Sequence, residues 1–165
     1  MKLKWVLVLI ILFASISSTF GQKPEWLKNL ESIQLLHSSR SDIEKAFGEP
    51  ANPSNKYNSI YKLRQGKLSV EYSHGPCSEA SVKGWEVAEL TVTRLFFFPK
   101  EFLTLENLKM DLSGFTRSES LDTVGAYGYT SEEIGIEIDV TSKGSIEAIE
   151  FYPSKKFDAL RCRTQ

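Results

Sequence analysis

The chain is poor in the residues that most chemistry needs. It has two histidines and two cysteines in 165 residues. No glycine-rich phosphate loop, His-Glu-x-x-His or Gly-x-Ser-x-Gly occurs, so the common phosphate, zinc-protease and serine-hydrolase motifs are missing. Lysines and arginines number 20 against 21 acids and form no basic block, which argues against a nucleic-acid partner. Heptads and low-complexity tracts are lacking, and beyond the first residues there is no long apolar span.

What is present begins at the amino terminus. Lys2 and Lys4 precede an apolar run from Trp5 to Ala14, followed by the small, hydroxyl-rich Ser15–Gly21. This order is that of a secretory signal peptide, residues 1–21, with cleavage expected after Gly21. The apolar core is about half of what a bilayer crossing needs. Removing 21 residues would leave 144, one ordinary domain over 22–165, with 18 basic and 21 acidic side chains. Export predicts a secreted or periplasmic protein. In an oxidising compartment the pair Cys77 and Cys162 reads as a disulfide, the alternatives being two thiols or pairing between chains. Chain entropy gives so long a closure about 4–5 kcal/mol before strain.

Periodicity predicts an α+β domain. Trp26, Leu27, Leu30 and Ile33 suit a short amphipathic helix. Ser39 to Pro50 reads as a capped helix, with Ser39–Asp42 or Ser41–Glu44 as the capping pair, Gly48 as exit and Pro50 as stop. The period then falls to two. Tyr61–Arg64, Gln65-Gly66 and Lys67–Tyr72 form a hairpin, and Glu86–Phe98 a third strand. In that third strand Leu90 and Val92 fall out of phase with Leu95 and Phe97, which predicts a β-bulge or an end buried on both sides. Thr104–Met110 fits one helical turn or an extended crossing, and Gly114–Asp122 stays ambiguous. Ala126–Tyr129 and Ile134–Val140 make a second hairpin, the latter with Ile134, Ile136, Ile138 and Val140 on one face. Ser145–Tyr152 is the last strand. The phrases Leu95-Phe96-Phe97-Phe98-Pro99 and Ile149-Glu150-Phe151-Tyr152-Pro153 match some 54 residues apart. Two similar halves, 37–100 and 101–155, with a tail at 156–165, are therefore expected: an antiparallel sheet with short helices on one face.

The stretch His37-Ser38-Ser39-Arg40-Ser41-Asp42-Ile43-Glu44-Lys45-Ala46-Phe47-Gly48-Glu49-Pro50 resembles the short capped helix of the β-lactamase-inhibitor-like superfamily. That superfamily includes the small lipoprotein of the outer-membrane β-barrel assembly machinery. A broader resemblance is to exported bacterial proteins of unassigned activity. It rests on the His-Ser-x-Arg-x-Asp helix start, Ser73-His74-Gly75-Pro76-Cys77-Ser78, Gly84-Trp85-Glu86-Val87, the aromatic-Pro strand ends and Arg161-Cys162. The resemblance implies the fold and the idea of a protein-binding sheet; it carries over no site residue. The lipoprotein's lipidated cysteine has no counterpart at Gly21-Gln22, so no lipid anchor is expected.

Candidate chemistry is thin. His37 suits packing at a helix entry. His74, three residues before Cys77, could form half of a metal site or a Cys–His pair, but a disulfide would leave no thiolate. Glu132, Glu133, Glu137 and Asp139 offer carboxylates on a wet strand face, for acid–base work or, more simply, for solvation. They lack the loop spacing of a calcium site. No catalytic residue, metal or cofactor is therefore assigned. The aromatics outnumber what one core face can take, and Trp85 and Tyr129 are the candidates for an exposed binding patch. The leading expectation is an exported, non-enzymatic domain that binds another envelope or extracellular protein. A small-molecule or lipid binder, with a cavity between sheet and helices, comes second, and a carboxylate-based hydrolase third.

Overall fold

A computed structural model describes residues 23–77 and 84–162. The expected signal peptide lies outside them. Two helices come first, α1 (Glu25–Glu31) and α2 (Arg40–Phe47), then strands β1 (Asn58–Lys62), β2 (Gly66–Tyr72) and β3 (Val92–Pro99). After the single turn α3 (Leu105–Leu108) come β4 (Thr116–Glu119), β5 (Tyr127–Ser131), β6 (Ile136–Val140) and β7 (Ile146–Phe151), and a 3-10 helix over Lys155–Leu160. Among the described residues no helix is long and apolar enough to cross a membrane.

The strands form one antiparallel sheet in the order β1-β2-β3-β7-β6-β5-β4. Two meanders meet at its centre, where Leu95 lies opposite Phe151, Phe96 opposite Glu150 and Phe97 opposite Ile149. Alternation sends Leu68, Val70, Leu95, Phe97, Ile136, Ile138, Ile149 and Phe151 to one side, where Leu27, Leu30, Ile43 and Leu108 of the helices join them in a single core. The Trp26 ring stacks on Phe97 at 4.5 Å. The helices thus share one face, as the sequence predicts.

The capping of α2 follows the first of the two sequence readings. The Ser39 hydroxyl accepts from the Asp42 N–H at 3.3 Å, and the Asp42 carboxylate accepts from the Ser39 N–H at 2.8 Å. Gly48 leaves the helix at φ +82°.

The phase slip in β3 is a bulge. Glu71 pairs with Arg94 and Tyr72 with Val92, so Thr93 is the extra residue, and Val92, Leu95 and Phe97 all reach the core. A second bulge leaves Glu147 unpaired between Ala148, opposite Asp139, and Ile146, opposite Val140. Thr93 and Glu147 hold equivalent places in the two meanders. Two glycines correspond as well: a Cβ on Gly66 would meet the Phe98 carbonyl oxygen, and one on Gly135 the Tyr152 carbonyl oxygen. Each meander therefore turns against the backbone of its own last strand at a point where no side chain fits.

Two expectations need correcting. The third strand starts at Val92 rather than Glu86, because Leu90 adopts φ +63° and the Glu86 N–H is drawn to the Leu160 carbonyl at 2.7 Å. Ile134 does not extend the apolar row of β6: it lies in the turn before that strand and is 54% exposed. Gly135, at φ +73°, reverses the chain there. Gly135→Ala is expected to lower the unfolding free energy by about 3 kcal/mol, from left-handed strain plus the carbonyl clash. Urea denaturation would measure it; a loss under 1 kcal/mol would contradict the tight approach.

Cys77 and Cys162 are bonded, 85 residues apart in sequence. The bridge is reinforced by backbone: Trp85 and Arg161 form an isolated antiparallel pair, and the Cys162 N–H donates to the Gly84 carbonyl at 3.0 Å. Replacing both cysteines by serine is expected to cost about 2–5 kcal/mol, because the unfolded chain regains the entropy of a long loop. The same urea series, with wild type under reducing conditions as control, would check it.

Candidate functional site

The face of the sheet turned away from the helices carries the side chains that alternate with the core. From β2 come Lys67, Ser69 and Glu71, from β3 Arg94, Phe96 and Phe98, from β7 Ala148 and Glu150, and from β6 Glu137 and Asp139. The Phe96 and Phe98 rings stack at 6.4 Å and 14°. Each carries a cation: Arg94 stands 5.5 Å from the Phe96 centroid and Lys67 4.4 Å from that of Phe98. Both rings are half-buried on the face opposite α1 and α2, at whose border residues of the 3-10 helix stand.

Beside the aromatic row lies a carboxylate group. Glu137 and Glu150 are directly opposite on paired strands, a placement that repels. Arg94 bridges to Glu150 at 2.9 Å and offsets part of that repulsion. Burial nevertheless holds the Glu150 carboxyl above its ordinary range; Arg94 opposes this, while Glu137, Glu71 and Asp139 add to it. Burial also raises the Asp139 carboxyl, helped by Glu147 from the bulge. The Tyr152 hydroxyl is raised by burial and by Glu137, Glu132 and Glu150. An open cleft of about 600 Å³ borders this group, walled by Glu137, Glu150, Tyr152 and the tail residues Lys155, Asp158 and Arg161.

The sequence-derived candidates scatter. Trp85 sits at the tail bridge, half-buried, with the Arg161 guanidinium 5.0 Å from its ring. Tyr129 lies on the helix side of β5, packed against the core and edge-on to Tyr127 at 5.9 Å. No ring contact joins Trp85 to Tyr129 among the described residues. Glu137 and Asp139 lie on the open face and Glu132 reaches the cleft, whereas Glu133 belongs to the preceding turn. His37 meets the Phe157 ring edge-on at 6.0 Å. His74 stacks on Tyr57 at 3.8 Å, and Tyr57 donates to Glu89, which Lys56 also reaches at 2.8 Å. With Cys77 oxidised, His74 has no thiolate partner. Among the described residues no three His, Cys, Asp or Glu side chains converge on a metal position. Phe96, Phe98 and Arg94 belong to this candidate site without being singled out by the sequence; the bulge at Thr93 tells which of the three consecutive phenylalanines faces outward.

No family model matches the chain, and no curated protein matches it. Among solved structures it is similar to a DUF4309 family protein (YjgB) from Bacillus subtilis subsp. subtilis str. 168. The identity is 15% and the TM-score 0.49, over 81% of this chain and 88% of that one.

The raised Asp139 carboxyl has a defined pH signature. A carboxyl raised by folding is held more comfortably protonated, so its ionisation destabilises the fold above its pKa, and that penalty fades as pH falls. Asp139→Asn is expected to stabilise by a few tenths of a kcal/mol at neutral pH, solvent reaching part of the side chain and screening it, and by nothing in strong acid. Thermal melts across the acid range would show the two proteins converging as pH drops; a gain that grows in acid would have the wrong sign.

Proposed function

We propose that the chain is an exported, non-enzymatic binding domain that engages another envelope or extracellular protein through the open face of its sheet. One observation carries this: a stacked, cation-capped pair of phenylalanines on the sheet face opposite α1 and α2. Stacked rings bury large area at low entropic cost, which suits the anchor of an interface. The neighbouring carboxylates give the partner its sign. Glu71, Glu137, Asp139 and Glu150 outnumber Arg94 and Lys67, so a partner presenting lysine or arginine beside an apolar spot fits best. Two features support export: the signal-peptide pattern of residues 1–21 and the Cys77–Cys162 bridge, which belongs to an oxidising compartment. The inhibitor-like wording of the α2 motif agrees with a protein-binding sheet.

A second reading has its own support. The cleft volume falls among those of ordinary ligand pockets. It lies on the open face, however, not between sheet and helices where a lipid site was expected.

Crosslinking and pull-down from the native envelope fraction test both. The expected result is one enriched protein, bound at least about tenfold more weakly by Phe98→Ala, since truncating an anchor removes about 2 kcal/mol and tenfold is about 1.4 kcal/mol. The variant's melting temperature should stay near wild type. Binding indifferent to Phe98 would remove the open face from the reading. A co-purifying small molecule displaced by Glu137→Lys would favour the second.

A further inference from the structure

The two edges of the sheet are treated differently. The β1 edge is closed by its own preceding loop: the Ala51 N–H donates to the Ile60 carbonyl, the Ile60 N–H to the Asn52 side-chain oxygen, and the Asn52 amide to the Asn58 carbonyl at 3.0 Å. Such cover is the usual protection of an edge strand. The β4 edge has none. Its inner ladder uses the even-numbered residues, as the Ser120 N–H donating to Ala126 at 2.9 Å fixes the phase. Arg117 and Glu119 therefore turn their N–H and C=O outward, and among the described residues nothing bonds to them. All four residues of β4 are exposed.

Charges on an edge normally repel a further strand, but these two alternate in sign along one face, and they bridge each other at 2.9 Å within the strand. Consider a second copy adding antiparallel to β4 about a twofold axis. Matching faces and matching outward groups leave few registers. Centring on Arg117 sets arginine against arginine, and centring on Glu119 sets glutamate against glutamate. Centring on Ser118 sets Arg117 against Glu119 of the second copy, twice, with the free backbone groups of both aligned for bonding. The same register brings Leu121, which is 102% exposed, opposite Phe115 of the second copy. One register thus satisfies the open backbone, the charges and an otherwise unexplained exposed leucine.

We infer that β4 is a self-association edge, through which two copies join into one continuous sheet by antiparallel pairing centred on Ser118. This interface lies at the sheet's rim and does not depend on the open-face reading.

Sedimentation velocity of the purified, disulfide-bonded protein tests it. Wild type should show a concentration-dependent monomer–dimer equilibrium between micromolar and millimolar protein. Arg117→Glu should weaken dimerisation by about tenfold or more, two attractive cross-strand pairs having become repulsive. The double variant Arg117→Glu with Glu119→Arg should restore it, which a merely structural effect of Arg117 would not. Register is read independently by cysteine placement: Ser118→Cys lies against itself across the axis and should oxidise to a covalent dimer, whereas Thr116→Cys should not. A wild type that stays monomeric at millimolar concentration overturns the proposal. So does a double variant as weak as the single one, or crosslinking by Thr116→Cys in preference to Ser118→Cys.

Discussion

The pairing of β3 with β7 is the joint on which the rest of the molecule depends. Only three residue pairs form it. Their backbone bonds, at about 1 kcal/mol net each, could not hold two meanders together alone. The side chains can. Leu95, Phe97, Ile149 and Phe151 are all buried at this seam, and fully burying such side chains is worth about 1.5–3 kcal/mol apiece. Their sum is comparable with the net stability of a whole domain. Removing the seam would leave two small, half-covered sheets, each too small to bury a core.

The same seam builds the open face proposed for binding. Because side chains alternate, the pair between the two apolar couples, Phe96 and Glu150, must point the other way. An aromatic ring and a carboxylate are thereby set side by side at the centre of the sheet by the residues that secure the core beneath. The tail completes the site. The Cys77–Cys162 bridge and the Trp85–Arg161 pair hold the segment after β7 against the loop that precedes β3. Asp158 and Arg161, just ahead of the bridge, form part of the cleft wall. A covalent link far from the sheet centre in sequence thus fixes the border of the proposed binding face.

Sequence alone disclosed the parts that local chemistry dictates. The capped helix is written in Ser39, Asp42, Gly48 and Pro50, and the hairpins in a period of two. The matching aromatic-Pro phrases mark the two strands that pair at the seam. What stayed hidden depends on a residue being out of step. One inserted residue at Thr93 re-phases β3, so that Phe97 is core while Phe96 and Phe98 are not; no pattern count over three successive phenylalanines distinguishes them. Ile134 looked like a strand residue because periodicity does not register that Gly135 turns the chain. Which face of a sheet stays uncovered is likewise set by where distant helices dock, which the residues around Trp85 and Tyr129 do not register.

Glu150 bears most directly on what the open face is for. A sheet needing only solubility would be served by a threonine or glutamine at that position, opposite Glu137 and beside Phe96. Instead three further carboxylates, Glu71, Glu137 and Asp139, press on a partly buried glutamate whose ion pair is with Arg94. Such an arrangement weakens the unbound protein slightly and becomes favourable when another positive charge arrives. Under the proposed function, that repulsion is one side of an interaction whose other side is a cationic group on the partner.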